Sequence, residues 1–245
     1  MKIAVCYRGH LRTLSKTFDN QKEFLFADHD VDFFCHTWNV YDDQLDFIKE
    51  VVKPKRLLVE DVKLFERNPY NSMTVSESCM ETNFEKEKFL NDGYLQGRPY
   101  NVLSMLYSLN KVNSLRKEYC QSENIQYDAV IVLRPDIYFY NHFEYNQTDI
   151  AKINISWFEN VGEHLNNQIS IIDHIAFSSE ENMNHYADCF LYLPAYYFNQ
   201  KIPMIPEVML GWHVKSNSFE VNMINTVHSV IRTETYENYY TNIDK

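Results

Sequence analysis

The chain has 245 residues, 45% of them hydrophobic and 15% aromatic, which supplies a sizeable core and is too apolar for a disordered segment. A net charge of −11, from 23 basic and 34 acidic residues, speaks against a nucleic-acid partner, because a duplex binder concentrates basic residues on one face. The longest apolar runs, such as Ala129 to Leu133, fall far below the ~18 residues a membrane span requires, so no transmembrane segment is expected.

Five scattered cysteines form no CxxC pair, which argues against a disulfide framework or a zinc site and for a reducing compartment. Ile3-Ala4-Val5-Cys6 is too short for the core of a signal peptide, and Arg8 follows at once. The chain is expected to be cytoplasmic, with peripheral association at the cytoplasmic face of a membrane left open.

In chain order, Lys2 to Tyr7 predicts a buried strand and Leu11 to Phe26 a helix with apolar residues at helical spacing. A second strand is expected over Val31 to His36 and a polar helix over Asp42 to Val52. Pro54 ends that helix, and Arg56 to Glu60 predicts a third strand. Residues 61 to 97 are polar and weakly periodic, and they predict a long loop. Pro99 suits the first position of a helix over Tyr100 to Tyr119, whose apolar stripe uses Val102, Leu103, Leu106, Leu109, Val112 and Leu115. Ala129 to Leu133 is a buried strand running into Arg134-Pro135-Asp136. A strand over Ile169 to Ser178, helices over Glu180 to Leu193 and Pro206 to Lys215, and a return to the sheet over Phe219 to Ile231 complete the pattern. Alternating strands and helices of this kind predict an α/β fold with a mostly parallel central sheet and helices on both faces, in a single domain.

Only five glycines occur, and they assemble neither a dinucleotide-binding GxGxxG nor a phosphate-binding GxxxxGK[ST]. GxSxG and HExxH are also absent. What remains is a basic turn after the first strand, with Arg8, Gly9, His10, Arg12 and Lys16, and an Arg-Pro-Asp at the end of a later strand. In open α/β sheets ligands bind beyond the carboxyl ends of the strands, where both features fall. Arginine offers a fork of donors matched to phosphate oxygens, and an aspartate on a stiff backbone can hold a hard dication. Together they suit a diphosphate leaving group.

Several segments resemble small GT-A-type glycosyltransferases of bacterial capsule and lipopolysaccharide loci and of some viruses. "IAVCYRGHLRT" is similar to their opening strand and Gly-Arg turn, and "VDFFCHTWN" to their second strand. "YNVLSMLYSLNKVNSLRKEY" with "YDAVIVLRPDIYF" is similar to their helix and Arg-x-Asp strand. "DHIAFSSEENMNHYA" and "PEVMLGWHV" resemble acceptor-side segments.

The resemblance implies a GT-A-like Rossmann-type sheet, with residues 1–140 as the nucleotide-sugar-binding half and 141–245 as the acceptor-side half. It implies transfer of a sugar from a nucleoside-diphosphate sugar donor to a glycan or lipid-linked acceptor. Arg134 stands where most such enzymes carry the first Asp of Asp-x-Asp. By resemblance Asp136 and His213 would hold Mn²⁺ or Mg²⁺ and Arg134 would contact the donor. Arg8, Gly9 and Arg12 of the basic turn, and Asn101, Ser104 and Lys111 on one face of the long helix, are the further candidate donor contacts. Glu207 and Asp173 are the candidate bases for the acceptor hydroxyl. Arg8 and Arg12 are expected to be exposed phosphate contacts, and His36 and Trp38 packing residues of the cleft wall. A non-catalytic nucleotide-sugar-binding relative and a nucleotidyltransferase are the alternatives. Plain readings of the same residues are a strand-capping Arg134–Asp136 ion pair and an ordinary acidic first-turn Glu207.

Overall fold

The structure, a computed structural model, describes residues 1–62, 99–156 and 171–232. Strands β1 (Lys2–Arg8), β2 (Asp30–Trp38), β3 (Arg56–Glu60) and β4 (Ala129–Leu133) form the parallel part of a seven-stranded sheet. Its remaining strands are β6 (Ile153–Ser156), β7 (Ile175–Ser178) and β8 (Val221–Ile224), and the order across the sheet is β3-β2-β1-β4-β7-β6-β8. β7 runs antiparallel to both β4 and β6, and β6 is parallel to β8. The sheet is therefore mixed but mostly parallel. A separate two-stranded ladder pairs β5 (Ile137–Phe139) with β9 (His228–Val230).

The apolar runs of β1 and β4 arise because both faces of the sheet are covered. Ile3, Val5 and Tyr7 of β1 and Ala129, Ile131 and Leu133 of β4 pack on one side with α1 (Leu14–Gln21) and α2 (Asp42–Phe47). Ala4, Cys6, Val130 and Val132 face the other way, against α3 (Pro99–Glu123), α4 (Glu180–Ala187), α5 (Cys189–Pro194) and α6 (Pro206–Ser216). Five of the six predicted stripe residues of α3 are buried there, and Leu115 is half-buried. Cys6 and Cys35 are fully buried, as small core residues.

Several boundaries differ from expectation. α1 and α2 each widen into a π turn, over Lys22–Phe26 and Ile48–Val52. The helix expected over 180–193 is two helices meeting at Asp188, whose amide bonds to both Asn184 O and His185 O. The segment expected to return to the sheet over 219–231 divides, with β8 joining β6 and β9 pairing with β5. β7 begins at Ile175, later than expected. The loop expected over 61–97 lies almost wholly outside the described residues.

Candidate anion-binding site

β1 and β4 are neighbours in register, Tyr7 opposite Leu133, so the turns that follow them meet at one end of the sheet. Gly9 adopts φ +83, a conformation that costs a glycine nothing, and its amide bonds to Ser108 Oγ at 2.7 Å and to His36 O at 3.2 Å. Arg12 also has a positive φ, 46, which is strained for a side chain of this size. Its Nη1 donates to Asp136 Oδ2 at 2.7 Å, a contact that holds the turn in place.

The Arg134-Pro135-Asp136 turn is fixed from the other side by the polar face of α1. Thr17 Oγ1 donates to Pro135 O at 2.6 Å, and Gln21 Nε2 reaches Pro135 O and Ile137 O at 3.1 and 2.8 Å. Asn20 pairs with both backbone groups of Phe139. These buried amides and hydroxyls replace the ladder that the chain loses between β4 and β5, which is why α1 carries polar residues on an inward face. Arg134 N donates to His174 O at 3.0 Å, and Ile231 N to Asp136 O at 2.8 Å, bringing the later half of the chain to the same point.

The result is a cleft of about 240 Å³ whose wall includes Arg8, Gly9, His10, Arg12, Trp38, Asn101, Ser104, Arg134, Asp136, Asp173 and Arg232. Asp136, 1% exposed, receives Arg134 Nε on Oδ1 at 3.0 Å, and Arg134 Nη2 and Arg12 Nη1 on Oδ2 at 2.9 and 2.7 Å. Burial alone would raise its pKa, but Arg134 and then Arg12 override burial and hold the carboxyl well below the usual range. Asp173 behaves alike. Arg8 Nη2 donates to its backbone oxygen and lies 3.2 Å from Oδ2, Arg134 Nη1 lies 3.7 Å from Oδ1, and these charges overcome burial to keep the carboxyl ionised.

Glu207 is the opposite case. Burial at the start of α6, followed by the charge of Asp173, pushes its pKa up to about 6. Burial and the neighbouring Arg12 push His10 down to about 4. Burial likewise pushes His174 down to about 3 and His228 to about 4, and the two rings touch at 2.9 Å between Nδ1 and Nε2.

Arg8, Gly9, Arg12, Asn101, Ser104, Arg134, Asp136 and Asp173 thus come together around one cleft, and Pro206, next to Glu207, also lines it. Three expectations change. Arg8 is 3% exposed and tied to Asp173, so it is a buried member of the site and not an exposed contact. Lys111 is not a wall residue of this cleft. Its Nζ lies 5.2 Å from the Tyr107 ring centroid, farther along α3 than Ser104. His213 is not brought to Asp136. It is buried in the helical layer, its Nδ1 on Tyr196 Oη at 2.8 Å and its Nε2 on His185 O at 2.6 Å. Trp38 does line the cleft, whereas His36 is wholly buried behind it, bridging Ser108 and Glu60 at 2.7 Å each.

Arg232 was not foreseen. An arginine two residues past a short strand carries no sequence signal, and only the pairing of Ile231 with Asp136 places it at the cleft.

The donor set around Asp136 does not suit a divalent cation. Both carboxylate oxygens are engaged by guanidinium groups, and a dication there would sit among Arg8, Arg12, Arg134 and Arg232. Hard dications prefer several oxygen ligands and no neighbouring positive charge. Among the described residues, no three His, Cys, Asp or Glu side chains converge as a metal shell.

Compared with known proteins, the chain matches no protein-family model and no curated protein. The site therefore has to speak through its own chemistry.

Proposed function

We propose that this protein is a glycosyltransferase that moves a sugar from a nucleoside-diphosphate sugar to a glycan or lipid-linked acceptor, on a GT-A-like sheet. The observation that carries the reading is the charge balance of the cleft. Four guanidinium groups and two carboxylates line it, leaving an excess of two positive charges at the carboxyl ends of the parallel strands. A diphosphate is a small, doubly or more highly charged anion, and arginine forks match its oxygens. Asn101 and Ser104, on the first turns of α3, add neutral polar groups at the same wall.

The two ionised aspartates orient the arginines, and Glu207 supplies the proton acceptor. Carboxylates in one site with pKa values pushed apart divide their roles in this way. Asp173, held far below neutrality by Arg134 and Arg8, is a weak base, so Glu207 is the better of the two candidates. As an acceptor hydroxyl oxygen bonds to the anomeric carbon, its proton passes to Glu207. The bond from that carbon to the diphosphate oxygen breaks, and its electron pair leaves with the diphosphate. The arginines neutralise the charge that develops there.

The test is release of nucleoside diphosphate from a panel of nucleotide sugars, with water or simple glycosides as acceptors. One panel member should release it at a rate that depends on Glu207. Binding without release selects a non-catalytic binding protein, and release of pyrophosphate selects a nucleotidyltransferase.

A further inference from the structure

We infer that the cleft binds its diphosphate without a divalent cation, and that Arg232 is a phosphate-binding residue of the site. The inference rests on the donor reading above but departs from it in what neutralises the leaving group.

The position of Arg232 is built into the fold. Both backbone groups of the preceding Ile231 are fixed: its amide donates to Asp136 O at 2.8 Å, and its carbonyl accepts from Thr13 Oγ1 at 2.8 Å. Arg232 is thereby delivered to the mouth of the cleft, facing the turn that carries Arg12. Arg12 and Arg134 are paired with Asp136, and Arg8 with Asp173, whereas Arg232 makes no ion pair among the described residues. Partial burial and then the charges of Arg12 and Arg134 act on it unfavourably, with Asp136 opposing them. An unpaired guanidinium held beside another is a position that an anion stabilises.

Spare hydrogen-bonding capacity points the same way. Arg8 is 3% exposed, yet its Nε has no hydrogen-bond partner among the described residues, and the buried Nδ1 of His10 has none either. A buried guanidinium donor or ring nitrogen left unpaired is unfavourable, and native proteins keep few such atoms. Here they sit on the wall of a cleft with an excess of positive charge. Asp136 carries guanidinium hydrogen bonds on both oxygens, and Asp173 lies between Arg8 and Arg134. Positive charge already surrounds the carboxylates a cation would need, and the arginines take its place.

The experiment is calorimetric titration of inorganic pyrophosphate and of ADP, GDP, CDP and UDP, each in EDTA and in excess Mn²⁺, into the wild-type protein and Arg232→Gln. Pyrophosphate and at least one nucleotide should bind in EDTA as tightly as in Mn²⁺. Arg232→Gln should weaken that binding by roughly tenfold or more, the loss of a charge-assisted hydrogen bond, with its melting temperature unchanged. Binding that appears only with Mn²⁺ overturns the inference and leaves the donor reading standing. Unchanged affinity in Arg232→Gln overturns the role of that residue. If pyrophosphate binds in EDTA and no nucleotide does, the cation-free anion site stands and the donor reading falls. If nothing binds in either buffer, both fall.

Discussion

Two arginine clusters in this protein look alike in outline and differ in how completely they are satisfied. Arg116, on α3, is 1% exposed, and each of its nitrogens has a partner. Nε and Nη2 donate to Asn113 Oδ1 at 3.2 and 3.0 Å, Nη2 also to Asn184 Oδ1, and Nη1 lies 3.2 Å from Glu180 Oε1. That cluster stitches α3 to α4 and asks for nothing more. The cleft cluster of Arg8, Arg12, Arg134 and Arg232 leaves one buried guanidinium nitrogen without a partner, and the solvent-exposed Arg232 without an ion pair, among the described residues. A closed polar network is structural, and an open one at the mouth of a cleft is where a ligand completes the bonding.

The largest effect that sharpens the contrast is on turnover. Glu207→Gln should lower transfer by roughly 10²- to 10⁴-fold, the contribution of a positioned base, while donor affinity changes little. The wild-type rate should rise with pH through about 6 and then level off, as Glu207 loses its proton, and the rise should vanish in the variant. A pH profile unaltered by Glu207→Gln would move the base elsewhere.

Arg116→Met should act on stability alone. Removing a buried, hydrogen-bonded guanidinium costs about 3 kcal/mol, because the Asn113 and Asn184 oxygens lose their donor and Glu180, which still accepts from Tyr127 N, loses its charge partner. Chemical denaturation should show that loss, and transfer per folded molecule should be unaffected. A stable but inactive Arg116→Met would erase the distinction between the two clusters.

A third effect, again on stability alone, comes with mild acidification. His10, His174 and His228 are held neutral by burial, with pKa values of about 4, 3 and 4, against an ordinary value of 6.5 in the unfolded chain. Between those values the unfolded chain binds more protons than the folded one, so stability is full above pH 6.5 and falls as pH drops toward 4. Each pKa unit of difference corresponds to about 1.4 kcal/mol, reduced where solvent reaches the ring. Asp136 and Asp173 are shifted in the same direction, downward, so they too lose their contribution as pH falls, but only within and below the usual carboxylate range. Denaturation midpoints at pH 7, 6 and 5 check this. A flat profile across that interval would mean the histidines are solvated.

Much of the site was legible in the sequence because strands buried on both faces show as unbroken apolar runs, and the residues that end them show as sudden charge. Arg134 and Asp136 after Leu133, and Arg8 after Tyr7, could be read in that way. The missed pieces lack such a signal. β6 reads Ile-Asn-Ile-Ser, yet Asn154 and Ser156 are buried, the asparagine amide serving the carbonyls of Asp149, Lys152 and Phe177. β5 has only three residues, and its place depends on Asn20 and Gln21 of α1. His213 was a candidate ligand through the family resemblance alone, and α6 turns it toward Tyr196 and His185. Arg232 depends on a single long-range backbone bond that no local pattern encodes.

The most direct test of the open-cluster account is thermal denaturation with nucleotide sugars at a hundredfold excess over their dissociation constants. It should be run in parallel on the wild type, Arg116→Met and Arg12→Gln. Binding to the native state alone adds about 2.7 kcal/mol at that excess. At least one nucleotide sugar should raise the melting temperature of the wild type and of Arg116→Met by similar amounts, and the rise should be lost or much reduced in Arg12→Gln. No rise with any panel member, or a rise that survives in Arg12→Gln, would contradict the account.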